Sequence, residues 1–197
     1  MTSTEVLTLF IYLSIKNPAR AARRLIDFRI TRQMLWCGLI LVAILNTLTQ
    51  QFSNFMVPGP PLLSGITDMA FIYFLFVIGG LLSIVFAIYF VGRTFGGQGS
   101  INDVMVVIIW LQFLRLLVQI LVLFFLFFKL PTLSLLVVLA ATIFGFWILT
   151  HFVNQAHSFE SLGKSVLILV ASFGGLLVAW SLLASIVGFG LMGTTRV

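Results

Sequence analysis

An arginine in the middle of a long apolar stretch has the clearest capacity for chemistry in this 197-residue sequence. Arg115 lies within the stretch Val104–Phe128, and a charge at the centre of a membrane costs at least ~2.5–3.5 kcal/mol on insertion scales. Gln112 and Gln119 lie three and four residues away, on the same helical face. These three polar residues are predicted to face the bundle interior or a water-filled groove. They would form either a buried, hydrogen-bonded link within the protein or a binding site for a lipid or an anion.

Two further segments invite a chemical interpretation. Gly96–Gly99 has the glycine content of a phosphate cradle but lacks the Walker lysine, so a tight turn between antiparallel helices is favoured. His151, Asn154, His157 and Glu160 form a polar cluster, but histidines six residues apart do not share a helical face and predict no metal site. The sequence contains no serine–histidine–acid set, paired carboxylates or nucleotide motif. It therefore predicts a protein that is not an enzyme and needs no cofactor.

The elements that must position these residues are membrane helices. Hydrophobic residues make up 61% of the chain and charged residues 8%, whereas soluble domains carry about 25% charged residues. Five continuous apolar stretches approach or exceed the roughly 20 residues needed to cross a bilayer. They predict an all-α, polytopic bundle of five transmembrane helices, at about 34–52, 69–92, 104–128, 130–150 and 165–192.

The basic residues predict the orientation of this bundle. With the N-terminus cytoplasmic and the C-terminus external, only Lys129 and Arg196 fall outside. The cytoplasmic side then receives Lys16, Arg20, Arg23, Arg24, Arg29, Arg32, Arg93 and Lys164. This bias is the one that the positive-inside rule expects. The chain accordingly divides into a basic cytoplasmic segment, 1–33, and a transmembrane domain, 34–197.

The N-terminal segment predicts a helix in the headgroup layer. Asn17 is a suitable N-cap and Pro18 a suitable first helical residue. The helix that follows mixes small and apolar residues with arginines, so its apolar side should face the lipid while its guanidinium groups contact phosphates. A plain topogenic segment is the alternative. The candidate contacts with anionic lipid are Arg20, Arg23, Arg24, Arg29 and Arg32; no base-reading element accompanies them, so nucleic acid is not an expected partner.

Two loops resemble each other and indicate an internal repeat. Gly99–Val104 and His157–Leu162 both place a serine and an apolar residue before a long span. Ser100 with Asp103 resembles a capping box, and Ser158 with Ser161 a weaker version. Both loops follow an inward-running helix, so the two helical hairpins would form a parallel repeat.

Small residues recur every four positions in two of the predicted spans. Such ladders let helix backbones approach closely in lipid, so these two helices are expected to supply contact faces within the bundle or between protomers. The candidate packing residues are Gly79, Ser83 and Ala87 in the second span, and Ala171, Gly175 and Ala179 in the fifth.

Several of these motifs resemble the Yip (Ypt-interacting protein) domain family. The resemblance lies in Phe95–Ile101 after the second span, His157–Phe159 after the fourth, and the basic N-terminal segment. The start at 17–23 is similar to the bacterial branch. The family resemblance implies five membrane helices and a cytoplasmic N-terminus, with no catalytic residues. Eukaryotic members contact small prenylated GTPases through a longer N-terminal region, so the short segment here argues against GTPase binding.

Two functions are compatible with these features. The first is a non-enzymatic membrane organiser or assembly and trafficking partner, in the bacterial inner membrane, that binds another membrane protein or itself together with anionic lipids. The second is a transporter, channel or lipid-moving protein with a polar pathway around Arg115.

Overall fold

The computed structural model describes residues 3–56, 69–159 and 161–193. These residues form seven helices and no strand. The helices are α1 (Ser3–Lys16), α2 (Pro18–Asp27), α3 (Arg32–Met56), α4 (Ala70–Thr94), α5 (Ile101–Phe127), α6 (Pro131–Ala156) and α7 (Leu162–Gly193).

Five of the helices described, α3 to α7, are long and apolar enough to cross a membrane, which confirms the predicted all-α bundle of five spans. Helix α5 packs against α3, α4 and α6, while α7 packs against α4 and α6. Helices α4 to α7 therefore form a ring in which each helix contacts two others. A parallel repeat of two hairpins would produce this arrangement, because a half-turn would exchange α4 with α6 and α5 with α7. The repeat itself, and the division of the chain at residue 33, stay predictions.

The core of the bundle is concentrated at one end. The buried stretch of α6 is its last turns, Ile148–Ala156, and α5 buries Val104–Ile108 in its first turns. Large side chains are exposed towards the other end, including Phe71 (72%) and Phe127 (67%). We call the well-packed end, where α2 also lies, the basic end. The exposed apolar side chains at the opposite end match a hydrocarbon solvent.

The far half of α3 is polar, and its side chains are satisfied within their own helix. Asn46 Nδ2 donates to the Val42 carbonyl at 2.8 Å, and Thr47 Oγ1 donates to the Ala43 carbonyl at 2.9 Å. Both residues are buried. These bonds to the preceding turn allow a polar stretch to lie in an apolar environment.

The N-terminal helices are attached to the bundle by specific contacts. The indole Nε1 of Trp110 in α5 donates to Ser14 Oγ at 2.8 Å. Phe10 lies edge-on to the same indole, with ring centroids 5.8 Å apart. Ser14 is fully buried. A segment that is too short to span the membrane is thus fixed against the side of α5.

Helix α2 begins where the sequence predicted. Asn17 Oδ1 accepts from the Arg20 backbone N–H at 3.2 Å, and Pro18 occupies the first helical position. Its apolar residues Ala21, Ala22 and Leu25 are buried, and α2 packs against α6 and α5. The predicted lipid-facing apolar side therefore faces protein, because the ends of α5 and α6 offer an apolar surface.

Four helix ends use a residue in the left-handed region directly after the C-cap. These residues are Arg29, Gly96, Lys129 and Ser158. Ser158 N–H bonds to the Gln155 carbonyl and Phe159 N–H to the Asn154 carbonyl, which is a Schellman motif closing α6. Ser158 consequently ends one helix and does not cap the next. Ser161 directly precedes α7, as Ser100 directly precedes α5.

The contact between α1 and α5 can be tested with Trp110→Phe. The variant keeps an aromatic ring but loses the indole N–H, and the hydrogen bond contributes about 1 kcal/mol. We expect trypsin to cleave at the arginines of α2 about fivefold faster, because α1 and α2 detach more often. Time-resolved proteolysis of the full-length protein in detergent measures this rate.

Ser14→Ala should accelerate cleavage by a similar factor, and the double variant should add little to either single change. Ser181→Ala serves as the control, because this serine bonds only within its own helix, to the Leu177 carbonyl. Equal cleavage rates in Trp110→Phe and the wild type would contradict the attachment.

Candidate functional site

The glycine-rich loop after α4 is a tight turn, as the sequence predicted. Gly97 N–H bonds to the Gly92 carbonyl at 2.8 Å, and Gly96 N–H bonds to the Arg93 carbonyl at 3.1 Å. Gly96 has φ 83°, a left-handed conformation that glycine adopts without steric cost. The loop thus closes α4 with a second Schellman motif. The Gly96 and Gly97 amides therefore bond to carbonyls at the end of α4 and are not arranged to bind a phosphate.

The same glycines also make room for a histidine from the other loop. A Cβ atom at Gly97 would lie 2.6 Å from His157 Cδ2, and one at Gly92 would overlap the imidazole ring. A Cβ atom at Gly99 would collide with the Ala156 carbonyl. We call Gly92, Gly97, Gly99, His157 and Phe159 the histidine junction. Gly92 and Gly97 are needed because the His157 side chain occupies the space of their Cβ atoms, and Gly99 is needed because the Ala156 backbone does.

His157 is held on several sides. Its exposed fraction is 1%, and its ring stacks on Phe159 with centroids 5.3 Å apart and planes 7° from parallel. Nδ1 lies 3.3 Å from the Val153 carbonyl. The His157 carbonyl accepts from the Gln98 backbone N–H at 3.1 Å. The sequence analysis placed His157 in a polar cluster and did not predict this role. The glycines of the other loop, which leave space for a side chain, were the signal that could have indicated it.

Asn154 connects the end of α6 to the start of α7. With the amide nitrogen turned towards the loop, it donates to the Phe159 and Ser161 carbonyls, each at 3.2 Å, and to Ser165 Oγ at 3.0 Å. Asn154 and Ser165 are both buried. The polar residue that the sequence grouped with the histidines is therefore a bridge between two helices.

The surroundings of His157 disfavour its charged form. Burial lowers the pKa of His157, and the nearby Arg93 acts in the same direction. The carbonyls of Val153 and Tyr89 and the carboxylate of Asp103 oppose this shift, but burial is the largest effect. At pH values above 6.5, the ordinary pKa of histidine, the junction therefore contains a neutral imidazole.

The other members of the polar cluster do not join His157. His151 Nδ1 lies 2.9 Å from the Trp147 carbonyl, and its ring packs edge-on against that indole. Glu160 lies outside the described residues, as does Arg196. Within the described part of the chain, no group of three histidine, cysteine or acidic side chains could hold a metal ion.

The N-terminal arginines form an exposed basic surface. The five side chains are exposed, while the apolar side of α2 is held by the bundle. Helix α3 begins at Arg32, so the surface lies where the first span starts. We use basic surface for these residues: Arg20, Arg23, Arg24, Arg29 and Arg32. Their contact with anionic lipid stays a prediction.

Arg115 lies on the outside of the bundle. Its side chain is exposed, whereas Gln112 and Gln119 are half-buried. The guanidinium group lies within electrostatic range of Tyr73 in α4, but it forms no hydrogen bond or ion pair with any described residue. This placement differs from a buried tie and leaves the guanidinium accessible to lipid, water or the chain outside the described ranges.

The two small-residue ladders have different surroundings. Gly79, Ser83 and Ala87 in α4 are half-buried, and Ser83 Oγ donates to the Gly79 carbonyl at 2.7 Å. Ala171, Gly175 and Ala179 in α7 are exposed. A Cβ atom added at Gly79 or Gly175 would meet no atom within 4 Å. The α7 ladder is thus left open on the surface of the bundle.

These features define a polytopic, α-helical integral membrane protein whose basic end is closed by two interlocking loops. The chain belongs to the Yip1 domain family, because the family's sequence model matches residues 12–188. This match confirms the resemblance found in the loop motifs. No curated protein and no solved structure shows significant similarity to the chain.

The steric role of the glycines predicts that Gly99→Ala destabilises the protein. The added methyl group collides with the Ala156 backbone at the end of α6, which cannot move as a side chain does, so we expect a loss of about 1–3 kcal/mol. The measurement is the shift of the thermal midpoint in detergent. Gly79→Ala is the matched control, since its methyl group enters open space within a helix and should be neutral or stabilising. Equal midpoints for the two variants would contradict the junction.

The lowered pKa of His157 predicts a loss of stability in acid. The unfolded chain takes up a proton on this imidazole at a pH at which the folded protein does not, so falling pH favours unfolding. The stability is fully present above pH 6.5 and decreases as the pH falls below it. Thermal midpoints measured at intervals of about half a pH unit between pH 8 and pH 5 give the slope.

His157→Asn should flatten this slope, because asparagine does not titrate and its amide can replace Nδ1 as a donor to the Val153 carbonyl. His151→Asn is the control and should retain the wild-type slope. An identical acid response in wild type and His157→Asn would show that other groups dominate.

Proposed function

We propose that this Yip1-family protein is a non-enzymatic membrane organiser that assembles with another membrane protein or with a second copy of itself. The proposal places it in the bacterial inner membrane with the N-terminus cytoplasmic. The basic surface then contacts anionic lipid, and the α7 ladder contacts the partner. GTPase binding and nucleic-acid binding are not part of this proposal.

The observation that carries the proposal is the fixed position of the basic surface. Helix α2 is held through its buried alanines, and α1 is held through Ser14 and Phe10. The exposed arginines are thereby carried by backbone that is attached to the bundle near the start of the first span. A fixed set of guanidinium groups suits the recognition of phosphate groups arranged in a plane.

The α7 ladder supports the partner part of the proposal. Its three small residues are exposed, and a Cβ atom added at Gly175 would meet no described atom of another element within 4 Å. Helix association in lipid depends on such close approach, because lipid tails are as apolar as leucine. A second helix at this face would fill the space that the small side chains leave.

A lipid-moving or transport function is the second candidate, and the exposure of Arg115 favours it. The guanidinium lies mid-span with Gln112 and Gln119 beside it, where it could bind a phosphate or another anion. This function requires flux through the membrane, which the organiser does not.

The organiser proposal predicts that Gly175→Leu disrupts assembly. Leucine adds bulk to the proposed contact face, so we expect at least about a tenfold loss of recovered partner or oligomer, which corresponds to ~1.4 kcal/mol. The measurement is native mass spectrometry and protein identification after extraction into polymer nanodiscs. Gly174→Leu is the matched control, because the neighbouring glycine is also exposed and unobstructed but points about 100° away around the helix.

Arg115→Ala separates the two candidate functions. The organiser predicts assembly close to wild type, whereas the alternative predicts loss of anion or lipid flux in proteoliposomes with the fold intact. Wild-type assembly in Gly175→Leu would remove the α7 face from the proposal. Flux that depends on Arg115 would replace the organiser with the transport function.

A further inference from the structure

A polar cavity at the basic end is not explained by assembly or by the basic surface. It has a volume of about 180 Å³ and lies between the linker that follows α2 and the first turns of α3 and α5. Arg29 lines it from the linker; Ser100, Asn102 and Asp103 line it from the start of α5. Because it adjoins the ends of two spans, it lies at the height expected for lipid headgroups.

Asn102, which lines the cavity, has an acceptor atom without a partner among the described residues. Asn102 Oδ1 is buried and has no hydrogen-bond partner in the described structure. A buried polar atom without a partner costs about as much as a lost hydrogen bond, so such an atom indicates a missing donor. A ligand with an N–H or O–H group would supply that donor.

Two side chains of opposite charge, Arg29 and Asp103, line the cavity without forming an ion pair with each other. Asp103 Oδ2 accepts from the backbone N–H of Ser100 at 2.8 Å and from its hydroxyl at 2.7 Å. No hydrogen bond or ion pair joins Asp103 to Arg29 among the described residues. The backbone of Arg29 is left-handed, with φ 44°, and its N–H donates to the Ile26 carbonyl. A ligand that bridges the two residues must therefore carry both charges.

We propose that this cavity binds a phosphoethanolamine group, supplied by the headgroup of a membrane phospholipid. The phosphate accepts hydrogen bonds from the Arg29 guanidinium, and the primary ammonium donates to Asn102 Oδ1 and the Asp103 carboxylate. A purely anionic headgroup would leave Asp103 facing negative charge. A quaternary ammonium has no N–H to donate. The site shares Arg29 with the basic surface, but it does not depend on assembly with a partner protein.

The test compares three lipids with identical acyl chains on the full-length protein in detergent. Phosphatidylethanolamine supplies both groups, phosphatidylcholine lacks N–H donors, and phosphatidylglycerol lacks the cation. Native mass spectrometry should show phosphatidylethanolamine retained about tenfold more strongly than either other lipid, the factor expected for a charge-assisted hydrogen bond. Equal retention of the three lipids would overturn the proposal.

Variants identify the cavity as the place of binding. Asn102→Leu removes the acceptor, so it should reduce the preference to within about twofold of phosphatidylcholine. Arg29→Gln removes a phosphate contact that all three lipids can make, so it should weaken the retention of all three. Asn102→Asp has nearly the same shape and adds a charge, so it should keep or increase the preference. Arg93→Gln is the control, since this exposed arginine at the same end does not line the cavity. An unchanged preference in Asn102→Leu, together with unchanged retention of the three lipids in Arg29→Gln, would overturn the site.

Soluble glycerophosphoethanolamine distinguishes the source of the ligand. Competition only at concentrations far above those of the lipid confirms a membrane headgroup. Competition at equal concentration would assign the cavity to a free phosphoethanolamine compound and overturn the lipid part of the proposal. Asn102→Asp also keeps the test valid if Asn102→Leu fails to fold, because the two substitutions predict opposite changes.

Discussion

The packing of His157 between glycines is the contact on which the closed end of the bundle depends. The loop after α6 inserts its imidazole where the loop after α4 has no side chains. The backbone then adds a hydrogen bond between Gln98 and His157. Two hairpins are thereby joined at one end of four spans. Because both loops also terminate helices, a substitution at the junction changes helix ends and interhelical packing together.

This single closed end explains the uneven burial along the spans. Near the junction, α5 buries five consecutive residues, Val104–Ile108, and α6 buries Phe152 and Val153 completely. Farther away the same helices present phenylalanines and leucines outwards. In water that exposure would be costly, but lipid supplies no drive to bury them. Packing is therefore densest at the basic end, and the exposed apolar side chains farther away suit solvation by lipid.

The number and type of elements could be predicted because the bilayer limits the choice. A continuous apolar run of spanning length has only a helix available to it, and the caps at Asn17 and Ser100 follow from local chemistry. The surroundings of Arg115 could not be predicted, since helical spacing gives a face but not what that face meets. The lipid-facing orientation of α2 failed for the same reason. Amphipathicity shows that one side of α2 must be buried, but it does not show which surface covers that side. The covering surface comes from α5 and α6, which are distant in sequence.

The two loops are similar in form and complementary in content. Each closes its helix with a Schellman motif, and the residue two positions after the C-cap is Gly97 in one loop and Phe159 in the other. The first leaves space that the His157 ring fills, and the second stacks on that ring. If the hairpins are repeats, these equivalent positions diverged in opposite directions, one towards no side chain and one towards an aromatic ring. Two identical loops could not interlock in this way, because both would offer space or both would demand it. The difference between the loops thus holds the junction together, while their shared form sets the spacing of the helices.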